Sequence, residues 1–224
     1  MNIIPRSRLA RMIFDPMPKP CQRMSRFLVY HIAMMKRREV LLVAAAVATA
    51  PLGLAEEGNA QTMAFDPVPP VPKTPTPGKP GDFDFLTGEW RIAHRSIVNG
   101  AWLEYSGEAT VYAILAGVGS VEELRIPARD FSGMGLRLLD VKTMVWSDFW
   151  VNAQSGVLTT PGQIGSFENG VGIFSSDYEE NGKAMTSAGI WDQITPRSCR
   201  WRQVTTANGG KTWEHNWIML WTKA

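Results

Sequence analysis

Asn-Gly is the strongest short-range signal for a two-residue hairpin, because both central positions of a type I′ turn need positive φ. This chain carries it four times, at Asn99-Gly100, Asn169-Gly170, Asn181-Gly182 and Asn208-Gly209. Both residues of each pair are therefore expected at positive φ. Between the turns run short stretches with period-two alternation. Leu103, Tyr105, Ala109 and Val111 share one face, and Trp102, Glu104, Ser106, Glu108 and Thr110 share the other. That pattern suits a sheet with one dry and one wet side. Further strands are expected over 88–98, 120–126, 133–140, 145–152, 166–176, 184–192, 198–205 and 212–222. No stretch after residue 82 carries a helical period of useful length. About nine strands joined by tight turns leave two all-β solutions, a closed up-and-down barrel or a sandwich.

The first 60 residues stand apart from this pattern. Lys36-Arg37-Arg38 precedes an uncharged run over 40–55, and Gly58-Asn59-Ala60 supplies a small-x-small site. These are the parts of a cleavable export signal, with cleavage expected after Ala60. The apolar run holds Pro51 and Gly53 and is short for a bilayer span, so no stable membrane anchor is expected. The paired arginines resemble a twin-arginine signal, although Val40 stands where an aromatic is common. Met34-Met35 mark an alternative translation start. The expected location is the periplasm.

Charge divides at the same place. Residues 1–60 hold nine Lys/Arg against four Asp/Glu, and residues 61–224 hold fourteen against seventeen, so +5 and −3 sum to the net +2. A mature part near −3 lacks the basic stripe a phosphate backbone needs, so nucleic acid is not an expected partner. Cys21 falls in the leader and Cys199 stands alone after it, which leaves no intramolecular disulfide. Residues 61–81 include prolines at 67, 69, 70, 72, 75, 77 and 80. Proline fixes φ and removes amide donors, so this segment reads as an extended linker ahead of a domain over 82–224.

Three blocks of that domain resemble a known family. Phe83-Asp84-Phe85-Leu86-Thr87-Gly88-Glu89-Trp90 is similar to the opening of the calycin superfamily, in which Gly-x-Trp starts the first barrel strand. Gly135-Leu136-Arg137-Leu138-Leu139-Asp140 and the stretch from Gly209 to Met219 extend the likeness to a bacterial lipocalin-like family of unknown function. The resemblance implies an antiparallel up-and-down lipocalin-like barrel of about 8–10 strands. It also implies that Trp90 packs at a closed end under a cation from the last strand, where the nearest equivalent is Lys223. Barrels of the nitrobindin type continue past Gly-x-Trp with further glycines; Arg91-Ile92-Ala93-His94 departs from that pattern, and no cofactor is expected.

Standard catalytic signatures are missing: there is no Gly-x-Ser-x-Gly elbow, His-Glu-x-x-His helix, phosphate loop or paired-Cys motif. His94 shares parity with Trp90 and Ile92, and His215 with Trp213, Trp217, Met219 and Trp221. First and last strands are neighbours in a closed barrel, so both imidazoles can reach one lumen wall; a rim or surface place for each is the other reading, and His94 is expected to be the more enclosed of the two. Two imidazoles there suit ligand contact or acid–base work, and Asp148, between Trp146 and Trp150, is a carboxylate candidate for the same chemistry. A third metal ligand is not evident, so no metal site is expected. Arg137 alternates with Gly135 and Leu139, which leaves two readings open: an outward, solvated arginine, or an inward one that requires a carboxylate or an anionic ligand. Trp90, His94, Arg137, Trp146, Trp150, His215, Trp217 and Met219 together read as a lumen lining for a small hydrophobic molecule. Two other readings stay open: a cofactor-free isomerase, lyase or hydrolase using His94, His215 and Asp148, and an envelope interaction module, with a homodimer among its forms.

Overall fold

The structure, a computed structural model, describes residues 65–224. The leader, with Lys36-Arg37-Arg38, Cys21 and the site after Ala60, lies outside the described residues. Ten antiparallel strands follow one another: β1 (Gly88–Val98), β2 (Ala101–Ile114), β3 (Gly119–Ile126), β4 (Phe131–Asp140), β5 (Val145–Asn152), β6 (Gln163–Glu168), β7 (Val171–Glu180), β8 (Lys183–Asp192), β9 (Ser198–Thr206) and β10 (Glu214–Lys223). Each pairs with the next, and β10 returns to β1, so the sheet closes into an up-and-down barrel. The sandwich is excluded.

Three Asn-Gly pairs behave as the turn rule demands. Asn99, Asn169 and Asn181 all have φ of 51°, and Gly100, Gly170 and Gly182 follow at 81°, 78° and 77°. Asn169-Gly170 therefore divides what alternation alone makes one strand over 166–176 into β6 and β7. The fourth pair is different. Positive φ falls on Gly209 and Gly210, while Asn208 accepts hydrogen bonds from the Thr206 hydroxyl at 2.9 Å and the Thr212 amide at 3.0 Å. Asn208 therefore orders a longer loop rather than a two-residue turn.

One end of the barrel is sealed. A short 3-10 turn at Asp84–Leu86 folds Phe83 and Leu86 beneath the strands, where they are 2% and 0% exposed. Trp90 is buried above them and donates its indole N–H to the Leu86 carbonyl at 2.5 Å. The Lys223 ammonium lies 4.1 Å from the centre of the Trp90 ring and donates to the Thr87 carbonyl. A lysine thus takes the cation's place over that tryptophan, as a point charge rather than a planar stack. Trp146, Trp191, Trp221 and Phe174 complete the floor.

Among the described residues, 65–80 of the proline-rich segment form no helix or strand, and they are packed. Phe65 stacks on His215 with ring centres 4.8 Å apart and approaches Trp102 at 5.2 Å. Asp66 pairs with Arg200 at 2.6 Å, and its carbonyl accepts from Arg202 at 3.0 Å. Val68 and Val71 cover Ala188, Ile190 and Val204 on the outer face of β8 and β9. Thr76 then meets Ser166 at 3.0 Å, and the Gly78 amide donates to Met144 at 2.7 Å beside the sealed end. The segment is a strap running down the outside of the barrel from rim to floor.

Candidate functional site

The register decides which side chains face the lumen. Trp90, Ile92 and His94 on β1 stand opposite Lys223, Trp221 and Met219 on β10, and Ser96 stands opposite Trp217. Trp90 and Trp146 are spent on the floor; Trp146 is 0% exposed and donates its indole N–H to Asp82 at 3.1 Å. Met219 is buried against the same core. Toward the far end the inward side chains change character. Tyr105, Phe131, Trp150, Trp201 and Trp217 pack on the core yet remain partly open to solvent. The barrel is sealed at one end and presents half-exposed rings at the other.

His94 lies beneath those rings, 1% exposed. It stacks on Tyr105 at 5.0 Å with planes 10° apart, and its Nδ1 accepts the Trp217 indole N–H at 3.2 Å. An acceptor at Nδ1 places the neutral ring's proton on Nε2, which has no hydrogen-bond partner. Burial pushes its pKa down to about 4. No carboxylate faces it. The ring fits because residue 107 is glycine: a side-chain carbon there would lie 2.5 Å from Nε2. Gly133 does the same for Trp150, whose ring would be 2.2 Å from such a carbon.

His215 is elsewhere. It pairs with Val204, and the register then slips so that Trp217 pairs with Gln203, leaving Asn216 as the extra residue of a β-bulge. One inserted residue reverses the parity of everything before it. Trp213 and His215 therefore face outward onto the strap, while Trp217, Met219 and Trp221 face the lumen. The reading that puts both imidazoles on one lumen wall is corrected for His215, which lies on the outer face and contributes nothing to a lumen site, while His94 is the enclosed ring. Burial and the nearby Arg202 charge hold its pKa below the ordinary value.

Arg137 does point inward, and it has the carboxylates its burial demands. Its Nη2 bonds Glu122 at 2.5 Å, and its Nε lies 3.5 Å from Asp148. The guanidinium also lies 5.3 Å from the ring centres of Phe83 and Trp191, with Nε and Nη1 making no hydrogen bond. Asp148 is the open member of this triad, at 18% exposure against 3% for Glu122 and 5% for Arg137. Burial among the rings pushes its pKa up to about 6, with the Glu122 charge adding and Arg137 opposing. Glu122 had a legible signal: it alternates with Ser120 and Leu124, so a charge on an inward parity marked the arginine's partner.

Among the described residues no cluster of three or more His, Cys, Asp or Glu side chains is placed to hold a metal. Cys199 is buried in the floor, and burial pushes its thiol up to about 12, which leaves it unreactive. Two surface clefts lie outside the lumen. One, of about 350 Å³, adjoins Ile126, Pro127 and Phe131 at the rim; the other, of about 490 Å³, crosses the outer face at Tyr112, Val121, Met134 and Val151.

No family model matches the chain, and no curated protein matches it in sequence. Among solved structures the chain is similar to a protein of unknown function from the DUF3598 family of Nostoc punctiforme. The two share 12% identity at a TM-score of 0.38, over 68% of this chain and 53% of the other, so the match spans about half of that neighbour's length.

Proposed function

We propose that this protein is an exported barrel that binds a small hydrophobic molecule at its open end. The observation that carries the reading is the asymmetry of the inward face. Rings at one end are fully buried as a floor, whereas Tyr105, Trp150, Trp201 and Trp217 keep exposed surface at the other. Half-open aromatic rings over a dry floor are what a flat apolar ligand fills, since rings bury large area at little entropic cost. The lumen below is filled by the protein's own side chains, so Trp90, Trp146 and Met219 support the ligand's floor without touching it. His94 lacks a carboxylate partner, which weighs against the isomerase, lyase or hydrolase alternative. Titrating an apolar fluorophore against the full chain tests the site. Trp217→Ala and Trp150→Ala should each weaken binding by about tenfold, the equivalent of losing roughly 1.4 kcal/mol of contact. Unchanged binding in both variants overturns the reading. Export is tested separately: Arg37→Lys with Arg38→Lys should hold the precursor in the cell, and normal periplasmic levels would refute the twin-arginine route.

An outer-face reading has its own support. Tyr112, Val121, Leu136 and Phe149 stand in direct register across four neighbouring strands, facing away from the lumen. Tyr112 is 60% exposed. Such a row suits a protein contact, the homodimer included. Sedimentation of the full chain tests the homodimer, since a monomer at every concentration removes it.

A further inference from the structure

The lumen triad is unbalanced. Glu122 and Asp148 share one guanidinium, and Arg137 is committed to Glu122 at 2.5 Å while reaching Asp148 only at 3.5 Å. Asp148 is thus an incompletely matched negative charge among aromatic rings, and such a charge needs a partner. Its surroundings specify one. The next inward residue on β5 is Trp150, and across the ladder stands Gln163 on β6. The Gln163 amide nitrogen donates to the Ser187 carbonyl at 3.4 Å, which leaves its oxygen as the free acceptor. Gly189 opens room for the Trp201 ring: a side-chain carbon there would lie 2.9 Å from the indole nitrogen and 3.5 Å from the Gln163 oxygen. A carboxylate, an amide oxygen and indole faces are what an organic ammonium takes from a protein. We infer that Asp148 and Gln163 form the charged end of the open-end site and receive the ammonium group of an amine whose apolar body lies on Trp150 and Trp201.

This rests on the open-end reading above and adds the ligand's charge to it. The other charged groups near Asp148 are Glu122 on β3 and Arg137 on β4, already paired with each other; Arg129 lies at the rim over Tyr105, 4.9 Å from its ring centre. The raised Asp148 pKa agrees, since a proton and an ammonium relieve the same charge.

Benzylammonium, benzyl alcohol and benzoate share one ring and differ in charge, and calorimetry on the full chain compares them. At about pH 7.5 benzylammonium should bind roughly tenfold tighter than benzyl alcohol, and benzoate weakest. Asp148→Asn should erase that preference, bringing benzylammonium to the level of benzyl alcohol. In the unaltered protein, saturating benzylammonium should lower the midpoint of the Asp148 carboxyl followed by ¹³C NMR, a readout that does not depend on a variant folding. Equal binding of benzylammonium and benzyl alcohol, a preference for benzoate, or an unmoved midpoint overturns the inference while sparing the open-end site. Failure of all three probes to bind removes both.

Discussion

Gly107 and His94 show how one position is set by another on the neighbouring strand. The imidazole occupies the space a side chain at residue 107 would take, so Gly107→Ala must push the ring off its stack with Tyr105 and its bond with Trp217. The expected cost is roughly 1–3 kcal/mol, as for other overpacked cores, with a displaced His94 ring signal in NMR. Wild-type melting with an unmoved ring signal would place the imidazole elsewhere. Trp90→Ala removes a buried ring, its bond to Leu86 and the Lys223 contact, and should cost on the order of 3–5 kcal/mol by thermal unfolding. Inward parity of Trp90, His94 and Asp148 was legible from alternation alone, whereas alternation left Arg137 open between an inward and an outward place. His215 was not, because nothing in Glu214-His215-Asn216-Trp217 marks Asn216 as an extra residue, and parity counted backwards from Trp217 is wrong by one.

At the scale of elements, turn chemistry carried most of the strand boundaries. Asn99-Gly100 and Asn181-Gly182 end their strands where positive φ is required. The strap was harder to read. Proline density says that residues 65–80 make few backbone hydrogen bonds, but it does not say what Phe65, Val68 and Val71 lie against. Their contacts with β8 to β10 can be removed without disturbing the sheet. Val68→Asp with Val71→Asp places two charges on Ala188, Ile190 and Val204 and should release the strap. Tryptic cleavage after Lys73 should then accelerate by about tenfold or more, since local opening governs it. His215, freed from Phe65 and from burial, should titrate closer to the ordinary imidazole value. A cleavage rate equal to that of the unaltered protein would show that those valines do not hold the strap.

Across the whole molecule, two buried groups pull stability in opposite directions with pH. His94 falls from 6.5 to about 4 on folding, so the folded protein holds fewer protons and its stability drops as pH falls through that window. Asp148 rises from 3.8 to about 6, so its contribution is fully present below the lower value and is lost as pH rises to the higher one. Each amounts to roughly 3 kcal/mol, and they nearly cancel. The difference between the stability profiles of Asp148→Asn and the unaltered protein should therefore span about 3 kcal/mol between pH 4 and 6, with the variant the more acid-sensitive. Denaturant titrations at several pH values check this, and parallel profiles would contradict it. Closure of the barrel bears on how the chain is made. Trp90 finds its neighbour in Lys223, so the two are 133 residues apart in synthesis. A nascent chain that has reached only Thr206 already carries nine strands yet has two open sheet edges, and its floor still lacks Trp221. Folding is thus delayed until the tenth strand emerges, and until then the partly made protein is something for a chaperone to hold.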